Sequence, residues 1–204
     1  MIAMRAIAIV PLLFSVAACW SPRYFAPREH VDAQGPDGYP AALYPIVPTD
    51  PATASTAEAR VWSHGSQARF TDDDREVVEL HIGFELENNS KEPLRLDLGP
   101  LACEDLMIDG VLHVPLSPIR LEGDGVAAPG TTARVDAVFE PPAAVPRDVD
   151  SFAVRFVVRA GEREVLHQVT PFGPYVRPVP EDRHWGGFGF GFGMGFHSSH
   201  LFCR

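Results

Sequence analysis

The sequence predicts an all-β fold, two antiparallel sheets packed as a sandwich, and three observations carry that expectation. Apolar residues recur with a period of two in several separate stretches, turn signals recur roughly every 8–14 residues, and no stretch between residues 59 and 172 holds a helical apolar period. Hydrophobic residues make up 46% of the 204 and charged residues 22%, so one packed core of ordinary size is expected.

The clearest strand is "EVVELHIGFELEN", where Val78, Leu80, Ile82, Phe84 and Leu86 alternate with Glu79, His81, Gly83, Glu85 and Glu87. A strand sorts these into an apolar and a polar face, whereas a helix would scatter them around its circumference. "NNSKEP" then supplies a turn, and Leu94, Leu96 and Leu98 alternate again. In "LMIDGVLHV" an Asp-Gly pair stands between two short apolar runs. That is a hairpin signal, because both central residues of the favoured turn need φ > 0. After the turn "APGTT" come Ala133, Val135, Ala137 and Phe139, and then Phe152, Val154, Phe156 and Val158, which "AGERE" turns into "VLHQVT". The count is seven or eight short strands, and residues 59–172 are expected to fold without either flank.

On both sides the composition changes. From Trp20 to about Glu58 prolines 22, 27, 36, 40, 45, 48 and 51 interrupt any helix, and residues 19–58 read as a disordered, semi-stiff tether. In polyproline geometry such a tether reaches at most about 120 Å. Its aromatics Tyr24, Phe25, Tyr39 and Tyr44 exceed what a linker needs, so part of "YPAALYPIVP" is expected to dock on the domain. Residues 173–204 read as a low-complexity tail, proline-rich and then glycine-rich, in which Phe188, Phe190, Phe192, Met194 and Phe196 alternate with glycine. Extended, that strip presents every large side chain on one face, as a docking strip would.

The N-terminus reads as targeting. One basic residue, Arg5, precedes an apolar run of about eleven residues, Ala6–Val16, too short to span a bilayer. Ala17 and Ala18 then lead into Cys19. The order Val16-Ala17-Ala18-Cys19 resembles the lipobox of bacterial lipoproteins. That resemblance implies cleavage of residues 1–18, acylation of Cys19, and a lipid bilayer as partner. With Trp20 rather than Asp after the cysteine, it implies the outer membrane of the cell envelope. Two or more acyl chains make such anchoring stable where one would not. The mature chain keeps 16 basic and 27 acidic side chains, a net charge of −11, which repels phosphate backbones and excludes nucleic acid as an expected partner.

The order "VVELHIGFELENNSKEPLRLDLG", an Asp-Gly hairpin, "GTTARVDAVFEPP" and "FAVRFVV" resembles immunoglobulin-like domains of bacterial extracytoplasmic lipoproteins. The resemblance implies an immunoglobulin-like antiparallel β-sandwich that binds or scaffolds and brings no catalytic residues. The Cys-Trp-Cys pattern of antibody domains is absent.

For catalysis the sequence offers no G-x-S-x-G elbow or other local nucleophile context, so no catalytic residue, enzyme activity or cofactor is expected. The acidic run Asp72–Glu76 lacks the glycine and downstream Glu of a calcium loop and reads as a solvated turn. His81, His113 and His167 read as surface or hydrogen-bonded histidines. His184, His197, His200 and Cys203 have a spacing with which a turn could bring imidazoles and a thiolate onto one zinc or copper ion. Cys103, expected in the loop "GPLACED", and Cys203 could instead form a disulfide in an oxidising compartment, or stay free or pair between chains. The leading expectation is thus a membrane-anchored, non-enzymatic module with an envelope protein partner not named by the sequence. The alternative is metal handling by the tail.

Overall fold

The computed structural model describes residues 22–47 and 57–176, and nearly all of the regular structure there is strand. In chain order the strands are β1 (Tyr24–Pro27), β2 (Ala33–Gln34), β3 (Pro40–Ile46), β4 (Ala57–Phe70), β5 (Glu76–Asn88), β6 (Leu94–Ile108), β7 (Val111–Leu112), β8 (Arg120–Gly123), β9 (Val126–Ala127), β10 (Thr131–Phe139), β11 (Val149–Ala160) and β12 (Arg163–Tyr175). Single 3₁₀ turns occupy Pro36–Gly38 and Pro146–Asp148. The first sheet runs β2-β3-β4-β5-β10-β8, and the second runs β1-β12-β11-β6-β7 with β9 also on β6. Every pairing is antiparallel, so the expected all-β sandwich is the fold. Among the described residues no helix is long and apolar enough to cross a membrane.

The period-two stripes become the core. Val78, Leu80, Ile82, Phe84 and Leu86 of β5 are buried, as are Ala133, Val135, Ala137 and Phe139 of its neighbour β10. Phe152, Val154, Phe156 and Val158 of β11 meet them from the second sheet. Phe156 packs edge-on against Phe84 and Tyr44, with ring centroids 5.5 and 5.8 Å away. The turns match their residues. Asp109 and Gly110 both have positive φ (49° and 74°), so the β6–β7 hairpin has the turn that Asp-Gly favours. Ala128-Pro129-Gly130-Thr131 closes with Thr131 N–H donating to the Ala128 carbonyl at 3.0 Å and Gly130 at φ 74°, a type II turn.

Three expectations need correction. Residues 22–47, read as part of a disordered tether, are strands of both sheets, so the sandwich starts well before residue 59. β1 pairs with β12 along its whole length, and Arg23 just before it exchanges backbone hydrogen bonds with Ser66 of β4 at 2.8 and 3.0 Å. β3 pairs with β4 over six residues. Phe25 is fully buried against Phe152, and Ala42, Tyr44 and Ile46 join the same core. The prolines stand where strand edges tolerate them. Pro27 closes β1, Pro40 opens β3, and Pro45 lies beyond the two-residue contact with β2. Leu98 leaves the expected stripe and is exposed, because the β6–β11 register shifts just after Asp97. Cys103 belongs to the middle of strand β6, and no loop holds it.

Tyr44 of the first sheet reaches across to the second. Its hydroxyl and Thr170 Oγ1 of β12 form a buried hydrogen bond of 2.8 Å. Burial pushes the phenol above its usual 10.0, although the Thr170 bond opposes the shift.

Phe25→Ala is expected to cost about 3–5 kcal/mol in urea unfolding, where a residue of a disordered tether would cost nothing. Tyr44→Phe strands a buried hydroxyl on Thr170 and is expected to cost about 1–3 kcal/mol. Adding Thr170→Val removes the orphan, and a double-mutant cycle should show most of that loss recovered.

Candidate functional site

The outer face of the first sheet gathers the most polar chemistry among the described residues. It begins with the alternate residues of β5 that the core stripe turns outward: Glu79, His81, Gly83, Glu85 and Glu87. β4 and β10 flank this row, and β8 lies beyond β10.

Two arginine–glutamate–arginine clamps stand at either end of the row. Arg60 of β4 and Arg134 of β10 each donate to Glu85 at 2.6 Å from opposite sides. Arg60 also meets Glu58 and Glu87 at 3.2 and 3.1 Å. Burial works against its charge, but the three carboxylates outweigh burial and raise its pKa. Farther along, Arg69 donates to Glu79 at 2.5 Å, and Arg120 of β8 reaches the other carboxylate oxygen at 3.4 Å across the buried Val138. Glu79 is only 1% exposed, so without these partners its charge would not persist there. Burial alone pushes the Glu79 carboxyl up. The Arg69 hydrogen bond and the charges of Arg120, Arg69 and His81 exceed it and hold the group below 4.5. His81 Nε2 lies 3.1 Å from Glu79 and 2.9 Å from Gln67, and burial nevertheless keeps its pKa below 6.5.

Between the clamps lies an aromatic patch. Trp62 lies on Gly83 and is covered from outside by Gly35, and at both glycines an added Cβ would collide with the indole. His64 keeps the period of Arg60 and Trp62 and faces outward too, and a bulge between Ser63 and Gly65, with Gly65 at φ 102°, then resets the period so that Gln67 and Arg69 share that face. His64 Nε2 lies 3.0 Å from the Trp62 indole nitrogen and 3.3 Å from Asp136 Oδ1. The indole N–H only donates, so the tautomer with a bare Nε2 serves Trp62 through its lone pair, and a ring with a proton on Nε2 serves Asp136 instead. Tyr39 packs edge-on to His64 at 5.0 Å. Among the described residues no Ser, Thr or Cys side chain is hydrogen-bonded to the imidazole of His64 or His81.

Two hollows open on the surface. One, of about 650 Å³, is lined by Arg60, Glu85, Glu87, Thr132 and Arg134. The other, of about 440 Å³, lies where the chain leaves the first sheet at Gly123 and joins the second at Val126, facing Arg95–Gly99 of β6. Exposed Leu98 and Val126 give it an apolar part, and Arg159 fixes Asp97 at 2.6 Å and holds its carboxyl below 3.8.

The sequence-predicted residues fall elsewhere. Cys19, the proposed ligands His184, His197, His200 and Cys203, and the docking strip Phe188, Phe190, Phe192, Met194 and Phe196 lie outside the described residues. Among the described residues no three metal-binding side chains cluster. Cys103 is a free, fully buried thiol that burial, with Glu104 nearby, pushes up to about 12; Cys203 lies outside the described residues. His113 is half-buried and its backbone bonds Leu106, while His167 is exposed beside Glu164. Asp73 and Arg75 pair within the exposed Thr71–Arg75 turn. Sequence reading missed the Trp62–His64–Asp136 patch. The available signal was Gly83, a gap in the polar row where a large side chain from β4 could lie.

No family model, curated protein or solved structure matches the chain.

Both shifted groups of the Glu79 clamp act in one direction with pH. Glu79 and His81 bind their protons less readily folded than unfolded, so their stabilising share is complete above about pH 6.5. It is lost as pH falls, first below 6.5 as His81 takes up a proton in the unfolded chain, then below 4.5 as Glu79 is neutralised there. Urea midpoints followed from neutral pH downward should show both phases, and His81→Gln should remove the first.

Proposed function

We propose that this chain is a lipid-anchored bacterial envelope protein whose immunoglobulin-like sandwich is a non-enzymatic binding or interaction module. The observation that carries the proposal is the lipobox-like Val16-Ala17-Ala18-Cys19, whose cysteine stands four residues before Arg23, which is already bonded to the first sheet. A signal that ends in acylated cysteine would thus hand over to a folded domain almost at once.

The strand order supports the immunoglobulin-like part. β4-β5-β10-β8 facing β12-β11-β6-β7 is the sequence of neighbours A-B-E-D facing G-F-C-C′ in such sandwiches, with β1 to β3 as an added N-terminal layer at the edges. The surface chemistry supports binding rather than turnover. The outer face offers charged and aromatic groups held rigidly by cross-strand partners, and its two histidines face carboxylates and no nucleophile. The Gly/Phe strip remains part of the proposal as a segment that docks on an envelope partner.

Metabolic labelling with a fatty acid tests the anchor. The natural chain should incorporate label and run at the size of residues 19–204, and Cys19→Ala should remain unlabelled and unprocessed. Label that survives the substitution contradicts the proposal.

A further inference from the structure

We propose that one end of the sandwich, formed by the start of β1, the end of β12 and the β4–β5 and β6–β7 turns, rests on the surface of a phospholipid bilayer. This rests on the reading of Cys19 as the lipid anchor and goes beyond it by fixing which surface faces the membrane.

The argument begins with chain length. Cys19 and Arg23 are four residues apart, so even fully extended they span no more than about 14 Å. Arg23 is not free to swing: its backbone is bonded to Ser66 on the first sheet, and the following Tyr24 is paired with Tyr175 on the second. A domain fastened that close to the headgroups cannot stand off, and the end that carries Arg23 must be the end at the membrane.

The register identifies what else lies there. Val149, three residues before Phe152, is level with Tyr175, three residues after Phe172, and Val149 pairs with Ile108 beside the β6–β7 hairpin. On the first sheet, Ser66 Oγ donates to the Pro146 carbonyl, which ties the Ser66 level of β4 to the segment leading into β11. β4 continues past Ser66 to Phe70 and its turn. This end therefore exposes Phe70 (67%), Val111 (58%), Leu112 (63%) and Val176 (90%), with Tyr24 and Tyr175 half-buried between them. Tyrosine and exposed apolar side chains suit the interfacial zone of a bilayer. At the opposite end Val47 follows Ile46, which pairs with Ala57, nine residues of β4 or about 30 Å from Ser66.

Charge does not drive the contact. Asp72, Asp73 and Asp74 in the β4–β5 turn and the acidic net charge repel anionic headgroups, while Arg23, Arg75 and Arg147 at the same end offset part of this. The anchor holds the surface at high effective concentration, so weak apolar contacts suffice once Cys19 is acylated and fail without it.

The experiment uses the acylated full chain in phosphatidylethanolamine/phosphatidylglycerol vesicles, with Trp20→Phe and Trp185→Phe so that buried Trp62 gives a constant background. A single tryptophan is added by Phe70→Trp, Val176→Trp or Val47→Trp, and quenching by brominated lipid is measured after intact mass confirms the acyl chains. Emission at positions 70 and 176 should fall and emission at 47 should not. An acylated protein that shows no quenching at 70 and 176, or equal quenching at 47, overturns the orientation while leaving the anchor in place. A mature chain whose mass carries no acyl group overturns both.

Discussion

The structure depends on a short N-terminal segment, Arg23 to Pro27, that is bonded to both sheets. Arg23 is bonded to β4 and the following β1, from Tyr24 to Pro27, to β12, so the segment closes one flank where the two sheets would otherwise part. Phe25 fills the seam from inside, in contact with Phe152, which in turn stacks on Phe172 with centroids 5.0 Å apart. Next to it the Tyr44–Thr170 hydrogen bond ties β3 to β12 through the core. Flat sheets hold each other only by apolar contact, which is not directional; these bonds fix the relative position of the sheets on that side. They also bring Pro22 and Val176, the first and last of the described residues, to one corner.

The polar outer face follows a different logic. Its carboxylates are shared between arginines from neighbouring strands, so each charge sits between partners that the sheet register supplies. Exposed pairs of this kind add little stability one by one, but Glu79 and Glu85 are buried and would be costly without their arginines. The Arg60, Arg69 and Arg120 side chains therefore serve the fold first, and they remain partly exposed, where a partner could still meet them. Around Trp62 the glycines at 35 and 83 make the opposite choice and give up side chains so that an indole can lie flat on the sheet.

Much of the sandwich was legible because burial on one face imposes a period that sequence displays directly. The stripes of β5, β10 and β11, the Asp109–Gly110 hairpin and the Pro129–Gly130 turn follow from local chemistry alone. The N-terminal strands were not legible, because the prolines that mark a tether are the same residues that edge strands accept at their ends and on their open sides. Only the aromatics Tyr24, Phe25, Tyr39 and Tyr44 hinted at docking, and a hint of docking does not tell a strand from a loop. The candidate site was less legible still. Arg60, Glu85 and Arg134 come from three strands, and Gln67 and Arg69 reach the outer face because of a bulge that no local motif announces. Leu98 shows the same limit in reverse, since a register shift exposed a residue whose period placed it inside.

The central claim is that residues 24–46 are structural members of the sandwich and so fasten it directly behind Cys19. Native-state amide hydrogen exchange on the full chain tests it most directly. The account predicts that the bonded amides of β1 and β3 exchange as slowly as those of β5 and β11, through global unfolding. Exchange of the β1 and β3 amides at the rate of an unstructured chain, with β5 and β11 still protected, would contradict it.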